Sequence, residues 1–182
     1  MRLFFAVHAP ADPRLEAVIS RLEAYKGIRT VDPRSLHITL RFLGDTDDRL
    51  IPDLCRILEG ALRGMCAPTV TLRSIGCFPS PSRPRVVWAG VEDGGRLATI
   101  AERIEDGLEG LGFEREDRAF RPHLTLARVK DPKTGVMKGL QDLEGREMGR
   151  FTVEDVSLIS SELTPQGPRY RTVCSHSFEQ RS

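Results

Sequence analysis

The tetrapeptide His37-Ile38-Thr39-Leu40 returns as His123-Leu124-Thr125-Leu126, 86 positions downstream (37 to 123). Each copy sits in a run of near-strict apolar/polar alternation, the pattern of a half-buried β-strand whose side chains take opposite faces at a period of two. In the first run Leu36, Ile38, Leu40 and Phe42 are predicted to point one way, and His37, Thr39 and Arg41 the other. In the second, Leu124 and Leu126 supply the buried side while Arg121, His123 and Thr125 face away. A chain built on this repeat must put a histidine and a threonine side by side on two separate strands.

The surroundings of the two copies follow the same order. Residues 2–8 form an apolar strand; Asp12 and Pro13 start a helix, because the aspartate caps it and proline lacks an amide that would be unpaired there. Leu15, Val18, Ile19 and Leu22 give that helix one buried stripe, and Gly27 closes it before the His37 strand. A second helix starts near Asp47 or Asp48 and runs through Leu50, Leu54, Ile57, Leu58, Ala61 and Leu62 to a strand over 69–78. The Pro/Ser-rich segment 79–84 then marks a joint. Beyond it come a strand over 85–91 containing Trp88, a helix marked by Leu97, Ile100, Ala101, Ile104, Leu108 and Leu111, and the His123 strand. Val136, Met137, Leu140 and Leu143 suggest a short helix between Gly135 and Gly145, and strands over 151–163 and 169–178 close the chain as a hairpin. The economical reading is one α+β domain over 1–182, made of two pseudo-symmetric lobes whose joint lies near 79–84. An approximate two-fold axis would bring His37 and Thr39 opposite His123 and Thr125 across a groove.

With 182 residues the chain can bury a real core, and a net charge of +1 argues against a polyanion-coating protein. Cys55, Cys66, Cys77 and Cys174 show no C-x-x-C spacing and no histidine at ligand distance, so they read as buried thiols of a cytoplasmic protein. The apolar opening, residues 2–7, is too short for a signal peptide or a membrane span.

Two imidazoles facing one cleft can divide acid–base work: one takes a proton from an attacking oxygen and the other gives a proton to a departing one. Phosphoryl transfer needs positioning more than covalent help, which suits a site without nucleophiles. A threonine two residues on from each histidine lies about 6.6 to 7 Å along the same strand face, so its hydroxyl can reach a non-bridging phosphate oxygen. Zinc normally wants three protein ligands, and neither motif carries a further Asp, Glu, Cys or His at useful spacing. No metal and no cofactor is therefore expected. No Gly-rich phosphate loop and no G-x-S-x-G is present. Arg128, Arg41 and Arg121 are candidate phosphate or RNA contacts. Phe42, Phe78, Phe120 and Tyr170 are candidate base platforms, and segments 80–85 and 130–138 add basic charge. His8 and His176 read as structural, and Trp88 as a core anchor. The bland alternative makes each His-x-Thr a pair of half-exposed strand positions; its recurrence in equivalent places argues against that.

The chain resembles the two-histidine (2H) phosphoesterase superfamily, and within it the bacterial and archaeal RNA 2',3'-cyclic phosphodiesterases, also called 2'-5' RNA ligases. The resemblance rests on residues 1–7, on Leu36-His-Ile-Thr-Leu-Arg-Phe-Leu-Gly44, on Phe78-Pro to Arg83-Pro-Arg-Val-Val-Trp88, and on Phe120-Arg-Pro-His-Leu-Thr-Leu-Ala-Arg128. It extends to Phe151-Thr-Val and the hairpin from Glu162 to Tyr170, and is weakest over 130–148. It implies a bilobal duplicated fold, two antiparallel sheets flanking a central cleft with helices on the outside. It also implies His37 and His123 as the acid–base pair, Thr39 and Thr125 as phosphate ligands, and opening of a terminal 2',3'-cyclic phosphate to a 2'-phosphomonoester. The reverse attack, by a 5'-hydroxyl in place of water, would join RNA ends such as tRNA halves. His37 is assigned as proton donor and His123 as proton acceptor, although the near symmetry supports either order. A monomer acting on RNA ends, away from membranes and in the cytoplasm, is expected. A cyclic phosphodiesterase for a small nucleotide metabolite and a non-catalytic RNA-binding protein are the alternatives.

Overall fold

The protein is described by a computed structural model covering residues 1–179. In chain order the strands are β1 (Arg2–His8), β2 (Ile28–Thr30), β3 (His37–Asp45), β4 (Thr69–Phe78) and β5 (Val86–Glu92). They continue with β6 (His123–Val129), β7 (Glu147–Thr152), β8 (Asp155–Thr164) and β9 (Gly167–Ser177). Three α-helices, α1 (Pro13–Glu23), α2 (Ile51–Leu62) and α3 (Arg96–Glu109), and 3-10 segments over Pro33–Ser35, Asp48–Leu50 and Val136–Leu143 complete the secondary structure of the described residues.

The strands form two antiparallel sheets, one in the order β3-β1-β8-β9 and the other β2-β6-β5-β4-β7. Each histidine strand pairs with the strand that precedes it across a helix: β3 with β1, placing His37 opposite His8, and β6 with β5, placing His123 opposite Gly90. The helices sit where their stripes require. Asp12 accepts the Arg14 amide at 2.8 Å and so caps α1, whose Leu15, Val18, Ile19 and Leu22 are buried. In α3 the buried side carries Leu97, Ile100, Ala101, Ile104 and Leu108, with Glu105 among them.

The two repeats exchange their helices. α1 follows β1 of the first sheet but packs on β2, β6 and β7 of the second, and α3 follows β5 of the second but packs on β3 of the first. The C-terminal strands β8 and β9 likewise complete the sheet that β1 and β3 begin. The Pro/Ser-rich segment 79–84 consequently does not separate two lobes. It is the turn between β4 and β5, which pair across it within one sheet. Two further differences from the sequence reading concern sheet membership. β2 is a three-residue strand without a periodic signal. The single strand expected over 151–163 is interrupted at Val153 and Glu154, where the chain leaves β7 in the second sheet for β8 in the first. Neither residue is a breaker, and the Val153 amide is satisfied by the Pro68 carbonyl at 2.9 Å.

Packing of α2 on β8 and β9 also brings Cys55 and Cys174 together as a disulfide across a sequence separation of 119, with Cα atoms 6.3 Å apart. This corrects the expectation of four thiols, because spacing along the chain carries no trace of a contact made by a helix on a distant strand. Closing so long a loop removes about 5 kcal/mol of unfolded-state entropy in the chain-entropy picture, of which native bonds deliver about 2–4 kcal/mol. For a domain of this size that is roughly 5–15 °C in Tm. Thermal unfolding with and without reductant should show that drop, and Cys55→Ser should reproduce it. Equal Tm values, with four reactive thiols titrated in the denatured and unreduced protein, would exclude the bond.

Candidate active site

β3 and β6 lie against each other where the two sheets meet, and each carries a β-bulge one residue after its threonine. In the β1–β3 ladder Ala6 pairs with Thr39 but Phe5 with Arg41, leaving Leu40 extra; in the β5–β6 ladder Trp88 pairs with Thr125 but Val87 with Ala127, leaving Leu126 extra. A bulge turns two consecutive side chains to the same side and reverses the alternation beyond it. Leu40 and Arg41 therefore both turn inward, as do Leu126 and Ala127, and the third residue after each threonine comes back to the cleft. That residue is Phe42 in one repeat and Arg128 in the other, and both line the cleft.

This reverses two expectations drawn from strict alternation. Phe42, assigned to the buried face, is 41% exposed on the cleft wall. Arg41, a candidate phosphate ligand, points instead to α3 and the segment after it, where its Nε stands 2.5 Å from Glu105 of the helix and its Nη1 2.8 Å from Glu116 beyond it. Its Nη2 also donates to the Glu114 carbonyl at 2.7 Å. The signal that could have revealed this is Glu105 itself, a charged residue four positions after Ala101 on an otherwise apolar stripe, which needs a buried cation.

The two histidines have matching surroundings. His37 Nδ1 lies 2.8 Å from the Ser35 carbonyl and His123 Nδ1 2.8 Å from the Arg121 carbonyl. A carbonyl can only accept, so each Nδ1 carries the proton and each Nε2 is left for chemistry. His37 is flanked by Phe4 at 5.0 Å and by the edge of Tyr170 at 5.1 Å; His123 is flanked by the edge of Phe78 at 5.0 Å and by Trp88 at 6.3 Å. Trp88 thus belongs to the His123 surroundings rather than to the apolar core. Its indole covers Gly76, where a Cβ would fall 2.1 Å from the ring, so only glycine lets β4 pass beneath it. Burial between Phe4 and Tyr170, reinforced by the charges of His8 and Arg128, holds the His37 imidazole below its usual pKa against the opposing pull of the Ser35 carbonyl.

A cleft of about 710 Å³ opens over this surface and is lined by His37, Thr39, Thr125, Arg128 and Tyr170 among others. His123 stands beside it, two residues along β6 from Thr125. Arg2, Arg29 and Arg128 supply positive charge to the lining, and Asp32, the one acidic residue among the described lining residues, is already engaged by Arg34 at 2.8 Å, which holds its carboxyl down to about 2. A chain of net charge +1 therefore concentrates cationic charge in one concave place, where it attracts anions. Arg121 contributes its backbone carbonyl to His123, while its side chain is exposed outside the lining. Phe120 packs against the core, and His176 lies in the β8–β9 ladder opposite Val156. Among the described residues no three His, Cys, Asp or Glu side chains gather to hold a metal ion.

Comparison with known proteins gives a consistent result. The family model described as the 2'-5' RNA ligase superfamily matches residues 10–165. The chain is 36% identical over 174 residues to the RNA 2',3'-cyclic phosphodiesterase of Archaeoglobus fulgidus, covering 94% of this chain and 97% of that one. Among solved structures, TT0787 of Thermus thermophilus superposes with a TM-score of 0.83 at 33% identity, covering 98% of each chain. E. coli LigT complexed with 3'-AMP does so with a TM-score of 0.74 at 26% identity, again over 98% of each chain.

Proposed function

Because this chain belongs to the 2'-5' RNA ligase superfamily, and within it to the RNA 2',3'-cyclic phosphodiesterase family of two-histidine phosphoesterases, we propose that it hydrolyses the 2',3'-cyclic phosphate at an RNA end to a 2'-phosphomonoester. The observation that carries this reading is the matched pair of imidazoles, each fixed through Nδ1 by a backbone carbonyl, with Thr39, Thr125 and Arg128 lining the cleft between their strands. Every group needed comes from one chain, in keeping with action as a monomer.

In the proposed reaction Thr39, Thr125 and Arg128 hold the non-bridging oxygens. His123 Nε2 takes a proton from water as the water oxygen bonds to phosphorus. The P–O3' bond breaks, and His37 Nε2 gives its proton to the departing 3'-oxygen. No covalent intermediate is required, and the two histidines exchange protonation states by way of solvent after each turnover. If a ribose 5'-hydroxyl occupies the place of water, the same motions form a 2'-5' phosphodiester and a free 3'-hydroxyl. The depressed pKa of His37 makes it a strong acid once protonated, and a bound phosphate anion restores its proton by favouring the imidazolium.

The test is product analysis with an RNA ending in a 2',3'-cyclic phosphate, with and without a 5'-hydroxyl acceptor. A 2'-phosphate, plus a 2'-5' linkage when the acceptor is present, is the expected outcome. A 3'-phosphate, which requires O2' to leave instead, would refute the assignment of bonds made and broken.

A further inference from the structure

Thr39, Thr125 and Arg128 suffice for one phosphate, yet Arg2 adds another guanidinium to the lining of the same cleft. Arg2 shares a face of β1 with Phe4, being two residues from it, and its guanidinium carbon stands 5.0 Å from the centre of the Phe42 ring. Among the described residues it has no carboxylate or carbonyl partner, unlike Arg29, which donates to the Gln166 carbonyl at 2.8 Å. Along the cleft the order is His37 with Thr39, then Phe4 paired with Phe42, then Arg2. Once the bulge is allowed for, Phe42 is two strand steps beyond Thr39, roughly 7 Å, a span comparable to that between successive phosphates of a nucleic-acid strand. The guanidinium stacked on Phe42 is held at that span rather than beside the reacting phosphorus.

We propose that Arg2, carried on the Phe42 ring, is a second anion subsite that binds the phosphate on the 5' side of the terminal nucleoside, so that the cleft takes a nucleotide-linked end in preference to a lone nucleoside cyclic phosphate. This rests on the phosphodiesterase reading above and narrows its substrate. A 5'-phosphate and an internucleotide phosphodiester offer the same oxygens, and the subsite accepts both.

The experiment measures kcat/KM for adenosine 2',3'-cyclic phosphate, for its 5'-phosphorylated form and for the dinucleotide ApA 2',3'-cyclic phosphate, in the unmutated protein and in Arg2→Gln. Arg2→Gln should lower kcat/KM about tenfold on the two substrates carrying the second phosphate, the loss expected of one charge-assisted contact, and change the nucleoside cyclic phosphate less than twofold. The log–log salt dependence for the dinucleotide should become shallower by about 0.7, one single-strand phosphate contact. If only the dinucleotide responds, the subsite reads the neighbouring nucleoside and not its phosphate, and the proposal fails. It fails equally if Arg2→Gln changes all three alike or none. Failure of the unmutated protein to turn over any of the three would remove the phosphodiesterase reading, and the subsite with it.

Discussion

Replacing His37 or His123 by alanine should lower kcat on a 2',3'-cyclic phosphate by about 10² to 10⁴-fold, the range for loss of one general acid or base, with KM nearly unchanged because Thr39, Thr125 and Arg128 still hold the phosphate. The two variants should differ in one respect. When sulfur replaces the 3'-oxygen, the leaving group departs as a stable thiolate and needs no proton. His37→Ala should then recover most of its deficit on the sulfur-bridged substrate, and His123→Ala should not. The opposite pattern would exchange the two roles, and equal deficits on both substrates would show that neither histidine protonates the leaving atom. The pH profile gives a second reading of the same assignment. In the free protein His37 holds its proton only below its usual range, so kcat/KM should fall as pH rises through a limb below 6.5. In the complex the phosphate anion supports the imidazolium, so the corresponding limb of kcat should lie at higher pH. Limbs that coincide would show that bound phosphate does not touch His37.

What the sequence disclosed follows from what is local. The periods of α1 and α3 and the strand character of each His-x-Thr run are written in residues a few positions apart, and they stand in the structure as read. The bulges were hidden because Leu40-Arg41 and Leu126-Ala127 follow Thr39 and Thr125 without a glycine or proline to mark them; only the ladders reveal the extra residue. One unseen insertion moved Arg41 out of the cleft and Phe42 into it. The matching insertion in β6 accounts for the position of Arg128, which strict alternation from Thr125 would have turned into the core. The sequence offered Tyr170 only as a candidate base platform and hid it as a neighbour of His37, since the two lie 133 positions apart (37 to 170). The same limit concealed the Cys55–Cys174 bond and the exchange of helices between repeats.

Arg41→Ala should destabilise the protein by about 3–5 kcal/mol, the cost of stranding one member of a buried ion pair, while leaving kcat of the folded protein within a few-fold of normal. Both partners are well enclosed: the Arg41 side chain is 10% exposed and that of Glu105 12%. Burial already pushes the Glu105 carboxyl above its usual pKa, with Arg41 pulling it back and Glu116 adding to the push. Without Arg41 the carboxyl rises further, so the folded variant binds a proton that the unfolded chain releases at neutral pH. Stability of Arg41→Ala must therefore improve as pH falls from 7 towards the ordinary glutamate range, in the sense opposite to an ordinary salt bridge. Adding Glu105→Leu should recover part of the loss at pH 7, because it removes the carboxylate left buried without its cation. Denaturant unfolding at pH 7 and pH 5 separates these expectations. A variant as stable as the unmutated protein but with KM for the cyclic phosphate raised tenfold would return Arg41 to the cleft and contradict the bulge that removes it.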